Sequence, residues 1–270
     1  MKKKTNILLN IIIVVLLGVM AFSGYKLLGI GQDAKENNEQ YEKLEQIVQD
    51  DEDKHESYSS AAEKYQSIYD MNNDFIGWIF IPDTPLSYPV VQTKDNPEYY
   101  LRRDFDGKYS SYGVPFMDFK CTADESDNTI IYGHNMLNKT MFSAVESYAS
   151  RKFWQEHRYV GFDTMNGFGT FEVAICARID LRNTDFYYID TVDFDSKADF
   201  DDYISKAKAH QSFESGVSLE YGDKLLLLST CEFNYDEGRF IIIAKKISDE
   251  DLSKVTPTTE NSKYKQPLMN

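Results

Sequence analysis

Hydrophobic and polar positions alternate with different periods along this 270-residue chain, and the changes of period divide it into segments. Residues 5–25, TNILLNIIIVVLLGVMAFSGY, carry no charge at all. Residues 31–57 are polar, with Tyr41, Leu44 and Val48 at helical spacing, which predicts a short helix or stalk. In SYSSAAEKYQSIYDMN, residues 57–72, Ala61, Tyr65 and Ile68 mark an amphipathic helix. The character then changes. DFIGWIFIPDTPLSYPVVQT, from Asp74, mixes β-branched and aromatic residues with Pro and Gly punctuation and reads as successive short strands. Further strands are expected at 112–119 and 128–135, then a single helix over 141–157 with Phe142, Val145, Ala149 and Phe153 on one face. RYVGFDTMNGFGTFEVAICARI predicts a hairpin turning at Asn166-Gly167. A helix interrupts the strands at 193–213, with Ser196 as N-cap and Phe200, Tyr203, Ile204 and Ala207 as its apolar stripe. DKLLLLST and RFIIIAKKI form a final pair of strands, and a polar tail follows from about Asp249. Many short strands in one domain with inserted helices predict a mostly β fold, a largely antiparallel β-barrel.

The domain boundaries follow from the same pattern: a basic tip at 1–4, an apolar anchor at 5–28, a polar stalk at 29–57, a barrel domain at 58–248 and a flexible tail at 249–270. An uncharged run of this length spans about 30 Å as a helix, one hydrocarbon core. Lys2, Lys3 and Lys4 on its short side predict a cytoplasmic N-terminus and an extracellular remainder, a single-pass protein of the cell membrane. A cleaved signal peptide is the competing reading, since AFS at 21–23 has small residues at suitable spacing. The aromatic content of 14%, mostly Tyr and Phe, suits a β-rich core. The net charge of −15 argues against nucleic acid as a partner, because no basic surface is available to neutralise phosphates.

Three cysteines, Cys121, Cys176 and Cys231, cannot all pair within the chain. Cys176 lies mid-strand and Cys121 in a polar turn, and both read as inert. Cys231 differs. It stands where four leucines give way to Ser229 and Thr230, and a seven-residue loop, 232–238, would bring Arg239 opposite it on the next strand. A nucleophile with an electrostatic stabiliser and a passive thiol beside a surface arginine both fit this segment. His134 likewise ends an apolar strand, after Gly133, whereas His55, His157 and His210 follow no buried strand. No metal site is expected, since the histidines and cysteines lack ligand spacing; an acidic loop could bind calcium weakly, but DFDSKADFDD has neither the glycine nor the twelfth-position Glu of an EF-hand.

LSTC followed by Arg239, with YGHN about a hundred residues upstream, resembles the sortases, bacterial surface transpeptidases. The resemblance runs from about Asp74 to Ile247, and the N-terminal helices and the helix inserted before the cysteine strand are similar to class B. One departure is Leu227, where the family's T-L-x-T-C pattern begins with Thr. The resemblance implies a sortase-like barrel of about eight strands, with Cys231 as nucleophile, His134 as acid and base, and Arg239 as oxyanion stabiliser. It implies no cofactor. Its substrates would be exported proteins bearing a C-terminal, Thr-containing sorting signal. They would be cleaved after Thr through a thioacyl intermediate and joined to a cell-wall amine of peptidoglycan or its precursor. Leu101, Ser229, Thr230, Glu232, Tyr187 and Tyr188 are the candidate groove residues; packing is the competing role for Leu101, Ser229 and the tyrosines, and a solvated loop carboxylate for Glu232. Two other functions remain open: a secreted cysteine peptidase releasing to water, and a membrane-tethered binding module with an incidental cysteine.

Overall fold

The computed structural model describes residues 2–54, 60–232, 237–248 and 251. His55, most of the tail beyond Asp249 and the 233–236 part of the predicted loop lie outside the described residues. Two compact units are present, Met1–Lys43 and Leu44–Asn270. The first is helical. Helix α1, Lys2–Lys54, carries a segment long and apolar enough to cross a membrane by length and composition, with exposed apolar side chains from Ile11 to Leu28.

The second unit holds a closed barrel of eight strands in the order β1-β2-β3-β4-β7-β8-β6-β5. The strands are β1 Phe75–Phe80, β2 Ser87–Val91, β3 Phe116–Met117, β4 Asn128–Tyr132, β5 Tyr159–Thr164, β6 Thr170–Asp180, β7 Leu225–Glu232 and β8 Gly238–Lys246. Closure removes the exposed edges that an open sheet of this length would present. Most pairings are antiparallel, as the pattern predicts, but β2 with β3 and β4 with β7 are parallel.

β7 reads as a continuous apolar run because both of its faces are covered: Leu225, Leu226, Leu227 and Leu228 are all buried. Helix α2, Ala61–Met71, starts at Ser60, whose hydroxyl accepts from Glu63 N–H at 3.3 Å, and buries Ala61, Tyr65 and Ile68 as its spacing predicts. The Tyr65 hydroxyl donates to the buried Asp163 carboxylate on β5 at 2.7 Å. The hairpin turns at Asn166-Gly167 as expected, with Thr164 and Gly167 bonded in both directions. The inserted helix, α5, runs Lys197–Ala209 behind the Ser196 cap and buries Phe200, Tyr203, Ile204 and Ala207.

Two expectations fail. The helix expected over 141–157 is two short ones, α3 Ser143–Ser147 and α4 Arg151–Glu156, with Ser150 capping the second. The break rotates the buried face, so Tyr148 and Trp154 are buried where Ala149 and Phe153 were expected. Trp154 is held by its indole N–H, which donates to Val173 O at 2.9 Å. The strand expected at 112–119 shrinks to the two residues of β3. Gly113 is at φ 63° with no room for a Cβ against the Leu101 and Tyr100 carbonyls, and Pro115 has no N–H to pair.

Candidate active site

Ser229 C=O accepts from Gly133 N–H at 3.1 Å on the β4 side of β7. Backbone groups alternate along a strand, so the Cys231 carbonyl also points towards β4, and its partner across β8 is a non-hydrogen-bonded one. That partner is Arg239, in register with Cys231. In such a pair the Cα atoms are about 4.5 Å apart and the side chains share a face. The Cys231 thiol is exposed. Arg239 is half-buried and donates to Gly238 O at 2.9 Å.

The last register pair between β4 and β7 is Tyr132 with Ser229. Two residues beyond each stand His134, just past the end of β4, and Cys231, still within β7. His134 Nε2 lies 2.8 Å from Leu101 O. A carbonyl only accepts, so Nε2 carries the hydrogen and Nδ1 is the acceptor nitrogen of the neutral ring. Burial holds the His134 pKa below its ordinary value; the Leu101 bond opposes this, and the Arg102 charge adds to it. Gly133 is required by what lies over it, since a Cβ there would stand 2.4 Å from the Phe142 ring. Phe142 N–H in turn donates to His134 O at 2.9 Å.

The candidate groove residues divide. Leu101 contributes its backbone, as the acceptor for His134. Ser229 and Thr230 are both buried, at 2% exposure each, on opposite faces of β7. The Ser229 hydroxyl bonds the buried Tyr188 hydroxyl at 2.7 Å, and Thr230 donates to Gly133 O at 2.8 Å. Ser229, Thr230 and Tyr188 are therefore held by hydrogen bonds in the packed interior beside Cys231. Tyr188 is within electrostatic reach of both Arg239 and Cys231, although burial is what mainly raises its pKa. Tyr187 is exposed. Glu232 ends β7, and its side chain lies outside the described residues.

Cys121 is not in a solvated turn: it is fully buried, accepts from Ile130 N–H at 3.4 Å, and has its thiol pushed up to about 11 by burial. Cys176 is buried within β6, which also raises its pKa. Asn128 opens β4 and donates from its buried amide to Thr191 O at 2.8 Å and the Tyr203 hydroxyl at 3.0 Å. His157 and His210 lie elsewhere, against Pro82 O and Asp185 respectively.

Two residues that the sequence reading passes over belong to the site. Asn135 Nδ2 donates to Cys231 O at 3.0 Å and to Glu146 Oε2 at 2.6 Å. The only signal for Asn135 was its place beside His134; for Glu146, on a short helix, there was none.

The chain belongs to the sortase family, the cysteine transpeptidases: the family model for the Sortase domain matches residues 79–247. Within the family its relatives are of class B. It is 34% identical over 245 residues to sortase B of Listeria monocytogenes, covering 87% of this chain and 94% of that protein. Sortase B of Staphylococcus aureus is 31% identical over 242 residues, covering 88% and 96%. Among solved structures, the Staphylococcus aureus sortase B-substrate complex superposes with a TM-score of 0.72 at 30% identity, covering 81% of this chain and 99% of that one.

Proposed function

We propose that Cys231 is the nucleophile of a surface transpeptidase that cleaves a C-terminal sorting signal after Thr and joins the protein to a cell-wall amine. The observation that carries this reading is the register of an exposed cysteine with Arg239, on the strand that pairs with β4 just before His134. The thiol passes its proton to His134 Nδ1, and the sulfur attacks the Thr carbonyl carbon. The oxygen takes negative charge, which Arg239 stabilises with fixed donors. The C–N bond breaks as His134 protonates the leaving amine, giving a thioacyl enzyme. An incoming amine then gives a proton to His134 and attacks the thioester, and the C–S bond breaks as His134 returns that proton to the departing sulfur, leaving a new amide and the free thiol. The relative solved as a substrate complex supports a peptide substrate for this chain as well.

The apolar part of α1 serves as a single-pass anchor, with Lys2, Lys3 and Lys4 in the cytoplasm and the barrel outside the cell. The lipid bilayer is then a partner of the chain through α1.

The test is to incubate the enzyme with Thr-containing sorting peptides from exported proteins of the same cell, with and without triglycine, and to weigh the products. The amide-joined product is expected only with the amine. Release of the free acid alone, at all amine concentrations, identifies a peptidase instead. Cys231→Ala is expected to lower turnover at least about 10³-fold, as removal of a nucleophile does in comparable enzymes. Unchanged turnover in that variant would leave the thiol without a catalytic role.

A further inference from the structure

Regular continuation of the parallel ladder past Tyr132–Ser229 and Gly133 N–H to Ser229 O would next join Cys231 N–H to Gly133 O, and Asn135 N–H to Cys231 O. Side chains hold both carbonyls. Thr230 Oγ1 donates to Gly133 O at 2.8 Å, and Asn135 Nδ2 donates to Cys231 O at 3.0 Å. A side chain reaches further than a backbone N–H, so the two strand ends separate at the level of His134 and Cys231 and yet stay tied. The separation is where an imidazole and a thiol, with a peptide carbonyl between them, need room. The tie fixes the backbone from which the thiol projects.

Asn135 is suited to this by chemistry. It is buried, at 8% exposure, and its amide nitrogen offers two protons. One goes to the Cys231 carbonyl and the other to the Glu146 carboxylate on α3, 2.6 Å away. The second bond is the shorter of the two, and together they pin the amide plane. α3 itself packs on β7 and β8, the strands of Cys231 and Arg239. Asn135 is also bridged through its backbone to Met141, which closes the loop before α3.

We propose that Asn135, braced by Glu146, is a positioning residue for transpeptidation: it holds the Cys231 backbone so that the thiol meets His134 Nδ1 and the scissile carbonyl at reacting distance. The proposal rests on the reading of Cys231 as nucleophile. Asn135→Asp is nearly isosteric but replaces the donor with an acceptor, facing both the Cys231 carbonyl and the Glu146 carboxylate. A displacement of about 1 Å at a reacting group costs on the order of 10²-fold in rate. The variant is therefore expected to lose roughly 10- to 100-fold in kcat, with KM within about threefold. Iodoacetamide alkylation, which reads Cys231 because Cys121 and Cys176 are buried, should have its pH midpoint moved upward in the same variant. Glu146→Ala should lower kcat about three- to tenfold, and Glu146→Gln, which keeps an acceptor, should recover most of that loss. The Glu146 pair carries the test if Asn135→Asp fails to fold. Wild-type kcat and alkylation profile in folded Asn135→Asp, or equal kcat in the two Glu146 variants, would overturn the proposal. Cys231→Ala is run beside them. If it turns over normally, the nucleophile reading fails; if it is inactive while the Asn135 and Glu146 variants behave as wild type, only the Asn135 assignment fails.

Discussion

Burial lowers the His134 imidazole pKa and favours the neutral ring, the form that takes a proton from the thiol in the proposed reaction. The expected kcat/KM profile is a bell whose acid limb lies below the ordinary histidine value of about 6.5. A single limb would contradict this. The same shift acts on stability. A depressed histidine pKa means that the unfolded chain binds more protons at mildly acid pH, so the contribution of His134 is present above about 6.5 and is lost as pH falls through the lower folded value. Denaturant titrations of wild type and His134→Gln should therefore converge in pH dependence above about pH 7 and diverge below it, with wild type losing more. Parallel curves down to pH 5 would remove the claim.

Elements carry the next set of expectations. Phe200 on α5 is fully buried and meets Phe194 edge-on with ring centroids 5.1 Å apart. Phe200→Ala should cost about 3–5 kcal/mol in thermal or denaturant unfolding, and Ser196→Ala, which removes the cap alone, about 1 kcal/mol. Equal costs would show that burial is not what holds α5 on the barrel. Gly133→Ala forces the Phe142 ring aside and is expected to destabilise by about 1–3 kcal/mol while slowing turnover, since the displaced segment is the one joined to His134 O. The elements legible in the sequence were those with a local cause: the Ser196 cap, the Asn166-Gly167 turn, and the stripes of α2 and α5. The break at Ser150 was not legible, because no Pro or Gly marks it and only the packing of Tyr148 and Trp154 requires it. The parallel pairing of β4 with β7 was hidden for a different reason. It joins segments almost a hundred residues apart, so no turn chemistry announces it, and the Asn135 bridge that depends on it was hidden too. Cys231 and Arg239 were legible because a single loop joins their strands.

Across the whole molecule, the apolar stretch of α1 and the barrel unit have separable roles in this account. Deleting residues 2–29 should move the protein from the membrane fraction to the soluble one, with kcat on a soluble peptide kept within about twofold. Retention in the membrane fraction would contradict the anchor. The barrel's own role comes down to whether an acyl group is carried on one sulfur between two amines. Intact-mass spectrometry of the full chain, quenched in acid shortly after mixing with a Thr-containing sorting peptide and then digested, reads this directly. The account predicts an enzyme heavier by the N-terminal peptide fragment, with the added mass on the peptide containing Cys231 and lost on addition of triglycine. Product formation with no adduct under burst conditions, or with the adduct on another residue, would contradict it.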